Sequence, residues 1–302
     1  NLSQALQQSC NVFFYKLGES LGVERLVEYS QQLGFGEYPG SGLPNESAGL
    51  VPNREWFEIH SPEGFQYGQA LNVSVGQGET RTSPLQLAMS YAAIANGGTV
   101  YYPRLIDHID TLEGETVFQY PSRVRRELHF EDQHLEEIAL GLTMAVNVPG
   151  GTAYESRLDY ITIAGKTGTA QGTQIDITAQ ASPDSIPESE RTSAWFAGFA
   201  PVYDPEIVVV VFLEHGGSGG SNAAPVAVNI VDRYFREIDG SYNRYNAAIA
   251  QSSSGTEGLI RLQRPGESGE PSTPYSSWGE AYLFGSYPTQ PSDDSSNYWD
   301  DR

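Results

Sequence analysis

Apolar positions recur at helical spacing over residues 12–33, where Phe13, Leu17 and Leu21 share one face, and the pattern predicts a helix ending near Gly34. Residues 34–80 show no such period. They are rich in glycine, proline and aromatic residues and read as irregular loops. A helix then opens with Ser83 as N-cap, Pro84 at the first helical position and Gln86 completing a capping box. Leu85, Ala88, Met89 and Ala92 form its expected buried face, and Gly97-Gly98 stops it. Residues 99–120 predict a strand pair around a turn at Leu112-Glu-Gly114. A second amphipathic helix follows over 130–147, with Leu135, Ile138, Leu142 and Ala145 facing inward.

Three strands come next, at about 159–170, from Ser193 to Ala200 and from Ile207 to Glu214. A glycine-rich turn from Gly216 to Ser221 leads into a helix over 223–238. Closely linked strands imply an antiparallel sheet with the last helix packed on one face, an α+β arrangement. After Gly240 the composition shifts to Ser, Gly, Pro, Tyr and Asp. The chain thus divides into a domain over 1–239 and a low-complexity acidic tail over 240–302, which is expected to be disordered.

The 302 residues suffice for a sizeable core. A formal net charge of −21, from 38 acidic against 17 basic residues, excludes a nucleic-acid partner, which demands a basic footprint. Only two residues are lysines, Lys16 and Lys166. An acidic, lysine-poor surface suits a salty exterior, and the acidic tail accounts equally well for part of the charge. The lone Cys10 excludes an internal disulfide. The longest apolar run, Ile207 to Leu213, is far short of the ~20 residues of a membrane helix. His60, His108, His129, His134 and His215 match no metal-ligand spacing, and the sequence calls for no metal or cofactor.

The chemistry concentrates in two places. The run Asp159 to Gln171 reads as a β-branched strand delivering Lys166, Thr167, Gly168 and Thr169. Gly165-Lys-Thr167 is not a phosphate loop, because that motif needs a glycine where this chain has Tyr160. Near the N-terminus stands Ser9-Cys10-Asn11. Lys-Thr-Gly after Ser-x-Asn is the order used by serine acyl-transferases that react with penicillin. Their third element, Ser-x-x-Lys with the nucleophile, has no match: three residues before the two lysines stand Phe13 and Ile163. The nucleophile is therefore expected upstream of Asn1, and the chain alone is expected to be inactive.

In that chemistry Lys166 sets a positive charge beside the nucleophile and the Ser9 hydroxyl, helping protons move between them. Gly168 leaves the strand bare for a peptide to add alongside. Thr167 and Thr169 offer hydroxyls to a substrate carboxylate, and the Thr169 N–H one half of an oxyanion hole. Ser9 relays a proton towards the leaving amine, and Asn11 binds the substrate amide. Ser9 and Asn11 are equally suited to capping the helix that follows. Cys10 is expected to be small, buried and turned away. The loop from Gln171 to Arg191 is expected at the cleft mouth, where it either contacts the acceptor strand or is a solvated hairpin loop.

With these residues in place, the chain resembles the transpeptidase domain of class B penicillin-binding proteins of the elongation type, over roughly residues 1–238. Leu71-Asn-Val-Ser-Val-Gly-Gln-Gly78, Thr82-Ser-Pro-Leu-Gln-Leu-Ala88, Ala145 to Ala153, Ala194 to Pro201 and Ala223 to Ala227 carry the likeness alongside the two catalytic motifs. The resemblance implies a penicillin-binding transpeptidase or serine β-lactamase-like fold with a five-stranded antiparallel sheet. It implies a membrane-anchored enzyme, outside the cytoplasmic membrane, that cross-links peptidoglycan stem peptides and is acylated by β-lactams. A glycosyltransferase and other elongation-complex proteins are its implied partners. Because the first strands and the nucleophile helix precede residue 1 in the family's order, the sheet is expected to be short of strands, with Ile207–Leu213 as an open apolar edge. A carboxypeptidase, a β-lactamase, and a non-catalytic sensor or scaffold remain alternatives.

Overall fold

The computed structural model describes residues 1–171 and 192–238. The predicted tail and nearly all of the Gln171–Arg191 loop lie outside the described residues. The first helices are α1 (Leu2–Gln8), α2 (Asn11–Leu21) and α3 (Val23–Gln32). The helix expected over 12–33 is thus two helices. Gly22, at φ 77, takes a left-handed conformation that no helix interior accepts, and it ends α2. The segment expected to be irregular also holds two short helices, α4 (Arg54–His60) and α5 (Tyr67–Ser74). Neither is long enough to persist on propensity alone. Phe57 of α4 is buried, and Ala70 of α5 packs with Val23 and Val27 of α3. Tertiary burial, not local periodicity, makes them helical.

Helix α6 (Pro84–Ala95) has the predicted capping box. Its buried stripe differs from expectation, running through Gln86, Met89, Ser90 and Ala93. Gln86 is fully buried. Its Oε1 accepts from the Ser83 N–H at 2.8 Å, and its Nε2 donates to the carbonyls of Glu37 and Ala48 at 2.9 and 2.8 Å. One side chain therefore caps its own helix and pins the non-repetitive 37–48 segment to the core.

Four short strands follow, β1 (Thr99–Tyr101), β2 (His108–Asp110), β3 (Thr116–Gln119) and β4 (Val124–Glu127). The expected hairpin around Leu112 is β2–β3, while β1 pairs with β4. Helix α7 (Asp132–Asn147) buries Leu135, Leu142 and Ala145 as its pattern predicts, while Ala139 is buried in full and the expected Ile138 only in part. The main sheet is β5 (Ala164–Ala170), β6 (Ser193–Ala200) and β7 (Ile207–Leu213), antiparallel in the order β5-β6-β7. β5 begins later than the predicted 159, since Asp159 to Ile161 form a bend and the ladder starts only at Ala164. A wide π turn, Gly219–Ala223, precedes α8 (Ala224–Arg233).

The sheet lies between two helical layers, an α+β architecture. On one face Phe196, Val209 and Val211 pack against Ala227, Val228 and Val231 of α8. On the other, Ala164, Phe199 and Val202 pack with Leu135, Ala139 and Leu142 of α7 and Ala95 of α6. Helix α1 lies outside α7, so close that a Cβ on Gly141 would stand 2.6 Å from a Leu6 methyl. Among the described residues β7 has β6 as its one strand neighbour, which matches the open edge expected there.

Replacing Gln86 with leucine keeps the volume but strands two carbonyls and the Ser83 N–H. The expected loss is about 2–4 kcal/mol in urea unfolding, since each orphaned buried group costs roughly 1–3 kcal/mol. A loss below about 1 kcal/mol would show that the 37–48 segment holds itself.

Candidate active site

The lysine strand β5 pairs with β6 in unbroken register, from Ala164 opposite Phe199 to Ala170 opposite Ser193. Alternation puts Lys166 and Gly168 on one face, and Thr167 and Thr169 on the other. Gly165 has a packing reason. The Phe196 ring crosses it, and a Cβ there would lie 2.4 Å from that ring. Gly168 also borders tight neighbours. A Cβ on it would meet Trp195 at 3.2 Å, while on the opposite face the Gly219 turn rests against its backbone. A Cβ on Gly219 would sit 2.3 Å from the Gly168 carbonyl, so the absence of a side chain at Gly219 allows that contact.

Lys166 is half-buried, and its Nζ donates to the Thr167 carbonyl at 2.8 Å. Among the described residues it has no ion pair. Burial without a compensating anion disfavours the ammonium and pulls its pKa to about 8. A lysine so poised can both hold and release a proton near neutral pH, which suits a proton-handling role. Thr167 Oγ1 is 2.7 Å from Thr152 Oγ1, and Thr169 Oγ1 accepts from the Gly219 N–H at 3.3 Å.

Ser9-Cys10-Asn11 forms the corner between α1 and α2. Ser9 is the C-cap of α1 in the left-handed region, φ 54 and ψ 49, an uncommon conformation for serine. Its N–H closes the helix, and its side chain is not a cap for α2. Cys10 holds the N-cap position with no side-chain bond, and Asn11 is the first helical residue. The alternative capping role for Ser9 and Asn11 is thereby corrected, because the sharp reversal at Ser9 turns the side chains outward. Cys10 is exposed, not buried as expected, for the same reason.

The two motifs meet indirectly. The carbonyl of Gln7, two residues before Ser9, accepts from the Thr152 N–H at 3.3 Å, and Thr152 in turn holds Thr167. Among the described residues no hydrogen bond joins Ser9 or Asn11 to Lys166. A shallow cavity of about 450 Å³ lies on the Thr152 side, bordered by Ser218, Gly220 and Asn229. It includes neither Lys166 nor the Ser9 corner, so its size does not mark the chemistry.

A family model for the penicillin binding protein transpeptidase domain matches residues 1–232. The chain belongs to that family. It is 33% identical over 232 residues to peptidoglycan D,D-transpeptidase MrdA of Acinetobacter baumannii, covering 77% of this chain and 34% of the relative. With MrdA of Haemophilus influenzae it shares 30% identity over 258 residues, 83% of this chain and 39% of the relative. The chain therefore spans well under half of these relatives. Among solved structures, PBP2 of Helicobacter pylori in complex with MreC is similar at TM-score 0.65 and 29% identity, over 78% of this chain and 40% of that one. PBP2 of Pseudomonas aeruginosa in complex with WCK 5153 is similar at TM-score 0.64 and 29% identity, over 80% and 48%.

In this transpeptidase-family chain, Gln7, Gln77, Thr152 and Gly219 are site neighbours that motif reading passes over. Gln77 Nε2 donates to the Thr169 carbonyl at 3.0 Å. Both Gln77 and Thr152 lie inside stretches that carry the family likeness, yet nothing local marks either as a neighbour of β5.

The Lys166 shift has a definite sign. An unfolded lysine keeps its proton to about 10.4, so between pH 8 and that value the unfolded chain binds more protons and stability rises with pH. Unfolding midpoints measured from pH 7.5 to 9.5 should rise, and Lys166→Met should flatten the rise. Equal slopes in the two proteins would mean that the ammonium stays solvated in the fold.

Proposed function

We propose that the chain is the major part of the catalytic domain of a peptidoglycan D,D-transpeptidase, which cross-links stem peptides through an acyl-serine intermediate and is acylated by β-lactams at the same serine. The observation that carries this reading is Lys166, half-buried without an ion-pair partner among the described residues on edge strand β5, next to Thr167, whose hydroxyl meets Thr152 and through it the Gln7 carbonyl just before the Ser9 corner. The nucleophile is supplied by a Ser-x-x-Lys segment outside these 302 residues, since neither lysine has a serine three positions before it.

In this mechanism the nucleophile's proton moves through Lys166 and the Ser9 hydroxyl to the leaving amine. The substrate strand lies along β5 at Gly168, its carboxylate near the hydroxyls of Thr167 and Thr169. The Thr169 N–H supplies half of the oxyanion hole, and Asn11 holds the substrate amide. The Gly219 turn supports the strand from behind, and among the described residues no strand pairs with its outer edge, where the substrate strand would add. In this reading the enzyme acts at the outer face of the cytoplasmic membrane, beside a glycosyltransferase and other elongation proteins; the peptidoglycan transpeptidase activity named for MrdA supports the extracytoplasmic placement. Among the described residues no helix is long and apolar enough to cross a membrane, so the anchor in this reading is a further segment.

The coding sequence before Asn1 is the first test, and a Ser-x-x-Lys some tens of residues before Ser9 is expected. Labelled penicillin should leave the isolated chain unmodified and should acylate the protein that includes that segment. In the latter, Lys166→Ala should slow acylation at least about a hundredfold, the usual scale of lost acid–base assistance. Labelling of the isolated chain would overturn the placement of the nucleophile. A longer protein that stays unlabelled would favour a non-catalytic sensor or scaffold.

A further inference from the structure

The outer edge of β5 is not vacant. Gln77 lies in the turn after α5, between Gly76 and Gly78, both at left-handed φ values of 70 and 73. Its backbone N–H donates to the Asn72 carbonyl at 2.9 Å, and a Cβ on Gly78 would press on Asn72 at 3.3 Å. The turn is thus fastened to its own helix and aims one side chain across 92 residues of sequence. There the Gln77 carboxamide donates to the Thr169 carbonyl at 3.0 Å and accepts from the Gln171 N–H at 3.5 Å. Those are the two kinds of backbone group that a strand added to this edge would use. Both contacts are solvent-exposed, so they can open without burying an orphaned group.

We propose that Gln77 is a displaceable occupant of the substrate edge of β5, a specificity-determining residue. Its carboxamide takes the Thr169 carbonyl that a backbone N–H of an extended acyl peptide would otherwise reach. Ligands that bring such an N–H must outcompete it, and ligands without one leave it in place. The inference rests on reading the β5 edge as the place of the substrate strand. It adds to that reading a competitor built into the chain.

The test uses the chain as it stands, with isotope-labelled backbone and side-chain amides observed by NMR. An acylated peptide ending in D-alanyl-D-alanine is titrated in, alongside a depsipeptide whose ester oxygen replaces the N–H facing Thr169. The amide peptide should shift the Gln77 side-chain signals in the native protein. It should bind Gln77→Ala about fivefold more tightly, the scale of one net hydrogen bond. The depsipeptide should bind both proteins equally. Gln77→Glu, which keeps the size but presents no amide donor, should behave like the alanine variant towards the amide peptide and guards against an effect of lost packing. Weaker binding by Gln77→Ala, or equal changes for both ligands, would overturn the role of Gln77 alone. Absence of any shift in β5 with either ligand would overturn the substrate-edge reading itself, and the role of Gln77 with it.

Discussion

Seven consecutive residue pairs tie β5 to β6, from Ala164–Phe199 to Ala170–Ser193, and that ladder uses the backbone groups on only one edge of β5. The N-terminal half of the strand is buried, with Ala164 in the core beneath α7 and Gly165 under the Phe196 ring. Its C-terminal half emerges with the opposite edge open to a side chain from elsewhere. Anchorage at one end and access at the other come from the same strand. A rigid element whose edge groups are held by no neighbouring strand is what strand addition needs, and a loop could not hold them in line.

Close backbone approach makes this possible. The Gly219 turn sits on Gly168, and α1 sits on α7 at Gly141. The second contact sets the Ser9 corner, because Gln7 at the end of α1 is tied to Thr152 and to Pro149. Beside this frame an ion-pair cluster ties two further segments together. Arg125 and Arg126 converge on Glu37, and Arg125 also donates to the carbonyls of Tyr38 and Pro39, which fastens β4 to the loop that Gln86 holds from beneath. Lys166, in a chain of formal charge −21, has no carboxylate partner among the described residues. Its perturbed proton affinity is therefore a matter of burial alone.

Family membership was legible in residue order, because Lys166-Thr-Gly168 and Ser9-Cys-Asn11 are short and bounded by recognisable elements. The capping box at Ser83 and Gln86 was legible for the same reason, since it is closed within four residues. The burial of Gln86 was not, because its partners Glu37 and Ala48 lie about 40 or more residues away. Helices α4 and α5 escaped notice because each is too short for a period to declare itself. Cys10 was misplaced because a left-handed serine, unlike a left-handed glycine, carries no compositional signal.

By itself the sequence determined the α7 helix, the strands β6 and β7, and the family to which the chain belongs. The elements follow from side-chain period and local hydrogen bonding, which act within a few residues. Tertiary structure alone decided that Gln77 reaches Thr169, that Thr152 bridges Gln7 to Thr167, and that Lys166 loses its water. Each depends on a contact between distant segments, and such contacts form only where the packed core brings the segments within a few ångströms of each other.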